Sequence, residues 1–242
     1  MKTIMVATDG SAGSARAFVW AKALAAAFGA VVKTAPVCGP PSVLAAADRL
    51  GADLIVLPAH PHAVADYVAR HARLPFVVVP SSARCRPPTR IAVGDDGSAG
   101  ADAAATWSRA VAAALKADIV AIDVVHPPAF LARFLPELHA DVAHDLEEHW
   151  AGRCGVPVTT EVLDDEHPAA ALLSAAEAEG ADVLVLGARA LCGVRLLPQD
   201  GVTLTALHHA RVPVVAVPAP VALVTTRDGG SEEGFTVERV LA

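Results

Sequence analysis

The feature that most constrains this chain is an internal repeat. Residues 2–11 read KTIMVATDGS and residues 90–98 read RIAVGDDGS. Each is an aliphatic run entering an acidic residue, a glycine and a serine, followed by an alanine-rich stretch of helical spacing, which predicts strand, tight turn, helix. Two further blocks repeat in the same order. GADLIVLPAH (51–60) answers GADVLVLGAR (180–189), and ARLPFVVVP (72–80) answers ARVPVVAVP (210–218).

The spacing differs between the copies. The turn serine and the GAD block are Ser11 and Gly51 in the first copy, but Ser98 and Gly180 in the second, so the first interval is shorter by about one helix and one strand. Strands are expected near 90–95, 118–125, 156–162, 182–187 and 213–218, alternating with helices near 98–115, 133–152, 167–179 and 202–210. The first copy keeps strands near 3–8, 30–36, 53–58 and 75–79. This rhythm predicts two tandem open parallel sheets of the α/β class with right-handed crossovers. The expected units are 1–82, shortened, and 90–220, fuller, with Pro87-Pro88 in the linker and a polar tail at 221–242, in which GFTVERVL has the composition of one more strand.

Composition suits that plan. Hydrophobic residues make up 54% and aromatics 4%, so the core must be built from Ala, Val and Leu, as in buried parallel strands. A formal net charge of −7 argues against binding nucleic acid or anionic lipid. The first aliphatic run ends at Asp9, too short for a membrane span or a leader core, so a cytoplasmic protein is expected. Cys38, Cys85, Cys154 and Cys192 are scattered without CxxC spacing and read as reduced thiols.

The DGS turns, the GADxxVLG block ending at Gly187 and the HARVPVVAVP block together resemble the universal stress protein family in its tandem form, an adenine nucleotide alpha hydrolase-like, Rossmann-like fold. The resemblance implies strand order 3-2-1-4-5, so the strand absent from the first copy is the outer third strand, with the helix before it. One branch of the family binds ATP through the turn aspartate, a valine late in the second strand, and a G-x2-G-x9-G-[S/T] loop. Glycines there let backbone N–H groups approach phosphate at a helix N-terminus. Carried onto this chain, the nucleotide residues are Asp96, Val124, Gly187, Gly201 and Thr203. The loop is degenerate: Gly187 keeps the first glycine, while Ala190, Asp200 and Gly201 replace the rest. A carboxylate at 200 about 4 Å from a phosphate charge costs roughly 4 kcal/mol at an effective dielectric near 20, unless magnesium bridges the two. In the first copy the loop is deleted and His60-Pro61-His62 stand in its place.

Blander readings compete at each position. Asp9 and Asp96 suit helix caps as well as nucleotide contacts, and Asp95 reads as a turn residue. His139, His144 and His149 are five apart, off one helical face, and read as solvated surface without a metal. Acids 164–166 before Pro168 are helix-start residues, and His208 and His209 complement a helix C-terminus. Cys192 beside Arg189 and Arg195 is a candidate redox-sensitive thiol. No nucleophile elbow is present, which removes support for hydrolase chemistry, and an adenylating ligase lacks a second motif. The expected function is therefore a non-enzymatic stress-response protein with a regulatory or protective role and no cofactor. The alternative is an ATP switch, with magnesium, in the second copy alone. An intrachain pseudo-dimer through 75–79 and 213–218, a homodimer and an unidentified protein partner complete the expectations.

Overall fold

The computed structural model describes residues 1–126, 135–152, 155–188 and 201–219. Positions 189, 190, 192, 195 and 200, together with Cys154 and the tail, lie outside the described residues.

The first half runs β1 (Thr3–Thr8), α1 (Ala12–Phe28), β2 (Val31–Pro36), α2 (Pro40–Leu50), β3 (Leu54–Pro58), α3 (His62–His71) and β4 (Phe76–Val79). The second runs β5 (Arg90–Gly94), α4 (Ala99–Leu115), β6 (Asp118–Val125), α5 (Leu135–Trp150), β7 (Val158–Asp164), α6 (Pro168–Ala178), β8 (Val183–Ala188), α7 (Val202–His209) and β9 (Val214–Pro218). α2 and α6 both precede a GAD block, so the first half lacks counterparts of α5 and β7.

The nine strands among the described residues form one sheet, ordered β2-β1-β3-β4-β9-β8-β5-β6-β7. The second half keeps the order 3-2-1-4-5, and the first keeps the same order without its outer strand. Every pairing is parallel except β4 with β9, which are antiparallel with Phe76 opposite Ala216 and Val78 opposite Val214. The halves thus join through their last strands, as the pseudo-dimer expectation requires, and the edges expected to need cover are paired with each other.

One face of the sheet packs against α2, α3, α6 and α7, and the other against α1, α4 and α5. The strands at the join are apolar and buried on both faces, with Val77 and Val215 on one side and Phe76 and Val214 on the other. Each such aliphatic side chain contributes about 1.5–3 kcal/mol of burial free energy.

The GAD block has a structural explanation. Gly51 and Gly180 adopt positive φ (60° and 64°) where a helix must stop, which a Cβ disfavours. The aspartate that follows ties the start of the next strand to the start of the first strand of its half. Asp53 accepts the backbone N–H groups of Lys2 and Thr3. Asp182 accepts the Thr89 N–H and hydroxyl (2.9 and 2.8 Å) and pairs with Arg86 at 2.8 Å. Those donors hold the Asp53 carboxyl below its ordinary range. For Asp182, burial pushes upward, yet Thr89 and Arg86 outweigh it and the carboxyl is lowered.

Candidate functional site

In an open α/β sheet, ligands bind outside the carboxyl ends of the strands where the strand order reverses. In the second half that point lies between β5 and β8, and four of the five candidate residues flank it. Asp96 occupies the β5–α4 turn, Gly187 is near the end of β8, and Gly201 and Thr203 open α7. Thr203 Oγ1 donates to the Gly187 carbonyl at 2.8 Å, so these two are brought together directly. Val124 stands late in β6 and packs against the α6/α7 side of the core.

Helix capping falls to the serines rather than to the aspartates. Ser98 Oγ accepts the Ala101 N–H, while Asp96 Oδ1 accepts the Ser98 N–H at 3.1 Å, an Asx turn one step before the cap. Ser11 and Asp9 repeat the arrangement, and the Ser11 donors lower the Asp9 pKa.

Gly187 is explained by packing. A Cβ there would sit 2.3 Å from the Gly100 carbonyl carbon and 2.8 Å from the Ala101 nitrogen, because the first turn of α4 lies directly against β8. The equivalent pair in the first half is Gly13 with Pro58, where a Cβ on Gly13 would meet Pro58 at an ordinary 3.6 Å. Gly201 has open space around its Cβ position.

Two residues that read as bland prove central. Asp95 is a turn residue, accepting the Gly97 N–H at 3.1 Å, but a buried one: it is 3% exposed, accepts the Trp150 indole N–H at 2.8 Å and lies 3.4 Å from His149 Nδ1. His149 is not solvated surface. Its ring bridges Asp95 and, at 3.6 Å, Asp102, and its carbonyl accepts from Arg109, whose guanidinium lies over the Trp150 ring at 4.4 Å. In the same region the half-buried Asp123 carboxyl is pushed up to about 6, by burial first and then by Asp95 and Asp96. Position 95 holds the counterpart of Thr8, and 123 that of Pro36. The one available signal was the acidic character of 95 and 123 beside the recognised turn.

At the corresponding end of the first half, β3 passes into α3 through residues 59–61 alone, with no space for a phosphate loop. His60, His62 and His208 form a stack there (ring centroids 4.4 and 4.5 Å apart), and His208 Nε2 meets Asp66 Oδ1 at 2.6 Å. His208 therefore bridges the halves from the end of α7 to α3. Burial first, then neighbouring His208 and His60, lowers the His62 pKa. Parallel rings cannot converge their lone pairs, and among the described residues no group of three or more His, Cys, Asp or Glu is arranged to hold a metal ion. Among the described residues no helix is long and apolar enough to cross a membrane.

Comparison with known proteins agrees with this geometry. A family model described as the universal stress protein family matches residues 1–49 and 88–218. A universal stress protein from Archaeoglobus fulgidus superposes with a TM-score of 0.61 at 14% identity, covering 90% of this chain and 98% of its own. A functionally unknown protein from Pseudomonas aeruginosa PAO1 gives 0.58 at 16%, covering 90% and 82%. A universal stress protein solved in complex with cAMP gives 0.42 at 19%, covering 55% and 99%. No curated protein matches.

Proposed function

Because this chain belongs to the universal stress protein family, we propose that it is a non-enzymatic regulatory or protective protein of the stress response in which neither half binds ATP in the family manner. The reading takes 1–82 and 90–220 as two family units held as an internal pseudo-dimer. The observation that carries it is the buried Asp95 behind the second-half turn, which is 3% exposed and anchored by the Trp150 indole N–H, a carboxyl group where a bound nucleotide would add like charge. Gly187 supports the same reading, since packing against Gly100 accounts for it without a phosphate.

Titration calorimetry with Mg-ATP, and separately with cAMP, tests this. The expected outcome is no saturable heat at micromolar concentrations. Stoichiometric micromolar binding that Gly201→Trp abolishes would replace this reading with the nucleotide switch in the second half. Gly201 suits that variant because its Cβ direction is open and its backbone is extended.

A further inference from the structure

On one face of the sheet the two halves meet through α3 and α7, whose apolar residues Val64, Val68, Leu204 and Leu207 share one core cluster. Histidines stand at the rim of that contact. His60 follows β3, His62 opens α3, and His208 and His209 close α7. Because β9 runs antiparallel to β4, the end of α7 falls beside the carboxyl ends of β3 and β4, where the first two histidines emerge.

His62 lies half-buried between two rings. The His60 centroid is 4.4 Å away and the His208 centroid 4.5 Å away, at interplanar angles of 14° and 19°. His208 is fixed in turn by Asp66 of α3. An ionised carboxylate only accepts, so the 2.6 Å contact keeps a proton on His208 Nε2. His209 adds a fourth ring, edge-on to His208 at 6.4 Å. Uncharged rings stack favourably at such spacings, whereas imidazolium rings would set like charges against both faces of His62.

Little around the stack offsets added positive charge. Asp66 is the carboxylate that faces it. Of the neighbouring elements, α2 carries Asp48 and Arg49, both exposed and opposite in sign. Glu177 of α6 pairs with Arg211 at 3.9 Å, and Glu179 just beyond it pairs with Arg90. The far end of α3 adds Arg70 and His71, with Arg73 after them. β4, β8 and β9 contain no titratable side chain.

We propose that the stack of His60, His62 and His208, with Asp66, is an acid-sensitive latch between the halves. It clasps the end of α7 to α3 while His62 is uncharged, and protonation of His62 between its neighbours drives the two helices apart at that end. The β4–β9 join stays paired, because its strands carry nothing that titrates. α7 spans only eight residues, and near its start the Thr203 hydroxyl holds the Gly187 carbonyl, so release at one end loosens the hold on β8 at the other. The direction of the switch agrees with the surroundings of His62. Burial first, then His208 and His60, lower its pKa, with Asp66 pulling the other way. The folded contact thus favours the uncharged ring: its contribution is complete above the ordinary 6.5 and is lost as pH falls through the lowered value.

Hydrogen exchange followed by NMR, corrected for the intrinsic effect of pH, tests the latch. From about pH 8 to about pH 5, protection of the α3 and α7 amides is expected to fall at least about threefold relative to β1 amides. His62→Phe keeps a flat ring without a proton site and should abolish that fall. Asp66→Asn removes the opposing carboxylate and should deepen it. In the native chain the His62 ring should titrate below 6.5, with its midpoint moving up in His208→Gln. Should His62→Phe fail to fold, the native titration and Asp66→Asn decide. Constant protection in the native chain, a fall that β1 shares, or an equal fall in His62→Phe overturns the proposal. So does a His62 midpoint at or above 6.5, or a fall that Asp66→Asn leaves unchanged or makes smaller.

Discussion

The two DGS turns share backbone, cap and helix, yet differ in what stands one residue earlier. In the first half Thr8 Oγ1 donates to Ser14 Oγ and accepts the Gly10 N–H, a neutral and local arrangement. In the second half Asp95 is a carboxylate at 3% exposure, and its main donor, Trp150, comes from α5. A buried charge persists only with donors around it, and α5 is the helix the first half lacks. The lesson is that the missing helix and strand remove more than area, because the polar chemistry of the neighbouring turn depends on them.

The largest expected difference is at the close approach behind the turn. Gly187→Val forces a Cβ against the Gly100 backbone and is expected to cost about 3 kcal/mol in urea unfolding, whereas Pro58→Ala at the matching first-half position costs under about 1 kcal/mol. Similar losses at both sites would mean that the two turns pack alike. Next, Asp95→Ala leaves the Trp150 N–H unpaired and is expected to cost about 2 kcal/mol, against about 1 kcal/mol for Thr8→Ala. Quenching of Trp150 fluorescence in the variant, with the Trp20 signal unchanged, distinguishes a local loss from general loosening.

The smallest effect sharpens the comparison through pH. The folded pKa of Asp123 is raised to about 6 from an ordinary value near 3.8, so the folded state binds the proton more tightly than the unfolded chain. Its contribution to stability is therefore complete below pH 3.8 and is lost as pH rises through about 6. Asp123→Asn is expected to raise stability at pH 8 by about 1 kcal/mol after solvent screening, and to leave it unchanged near pH 3. An equal gain at both values would separate the effect from ionisation. The first-half position, Pro36, carries no ionisable group and has no such dependence.

Much of the architecture was readable beforehand because it rests on local periodicity. Each strand and helix named from the repeat has a counterpart in the structure, with ends shifted by about two residues at most, as expected where caps and fraying set boundaries. That β4 and β9 would cover each other was also foreseeable, since each presents an aliphatic edge, whereas their antiparallel direction was not. The site was less legible. Asp95 and His149 looked like turn and surface because neither shows its partner within its own segment, and they meet only across 54 positions of sequence. At Gly187 the motif does not say what lies behind the glycine, and its close approach to Gly100 shows only in three dimensions.

By itself the sequence determined the repeat, the strand–helix rhythm, the aliphatic core and the family, all of which follow from spacing between neighbours along the chain. Tertiary structure alone decided which aspartate is buried, which glycine is required by packing and which histidines stack across the join. Those outcomes depend on distances between separate elements, and the energy of a charge or a close contact is set by what surrounds it in space rather than by what precedes it in the chain.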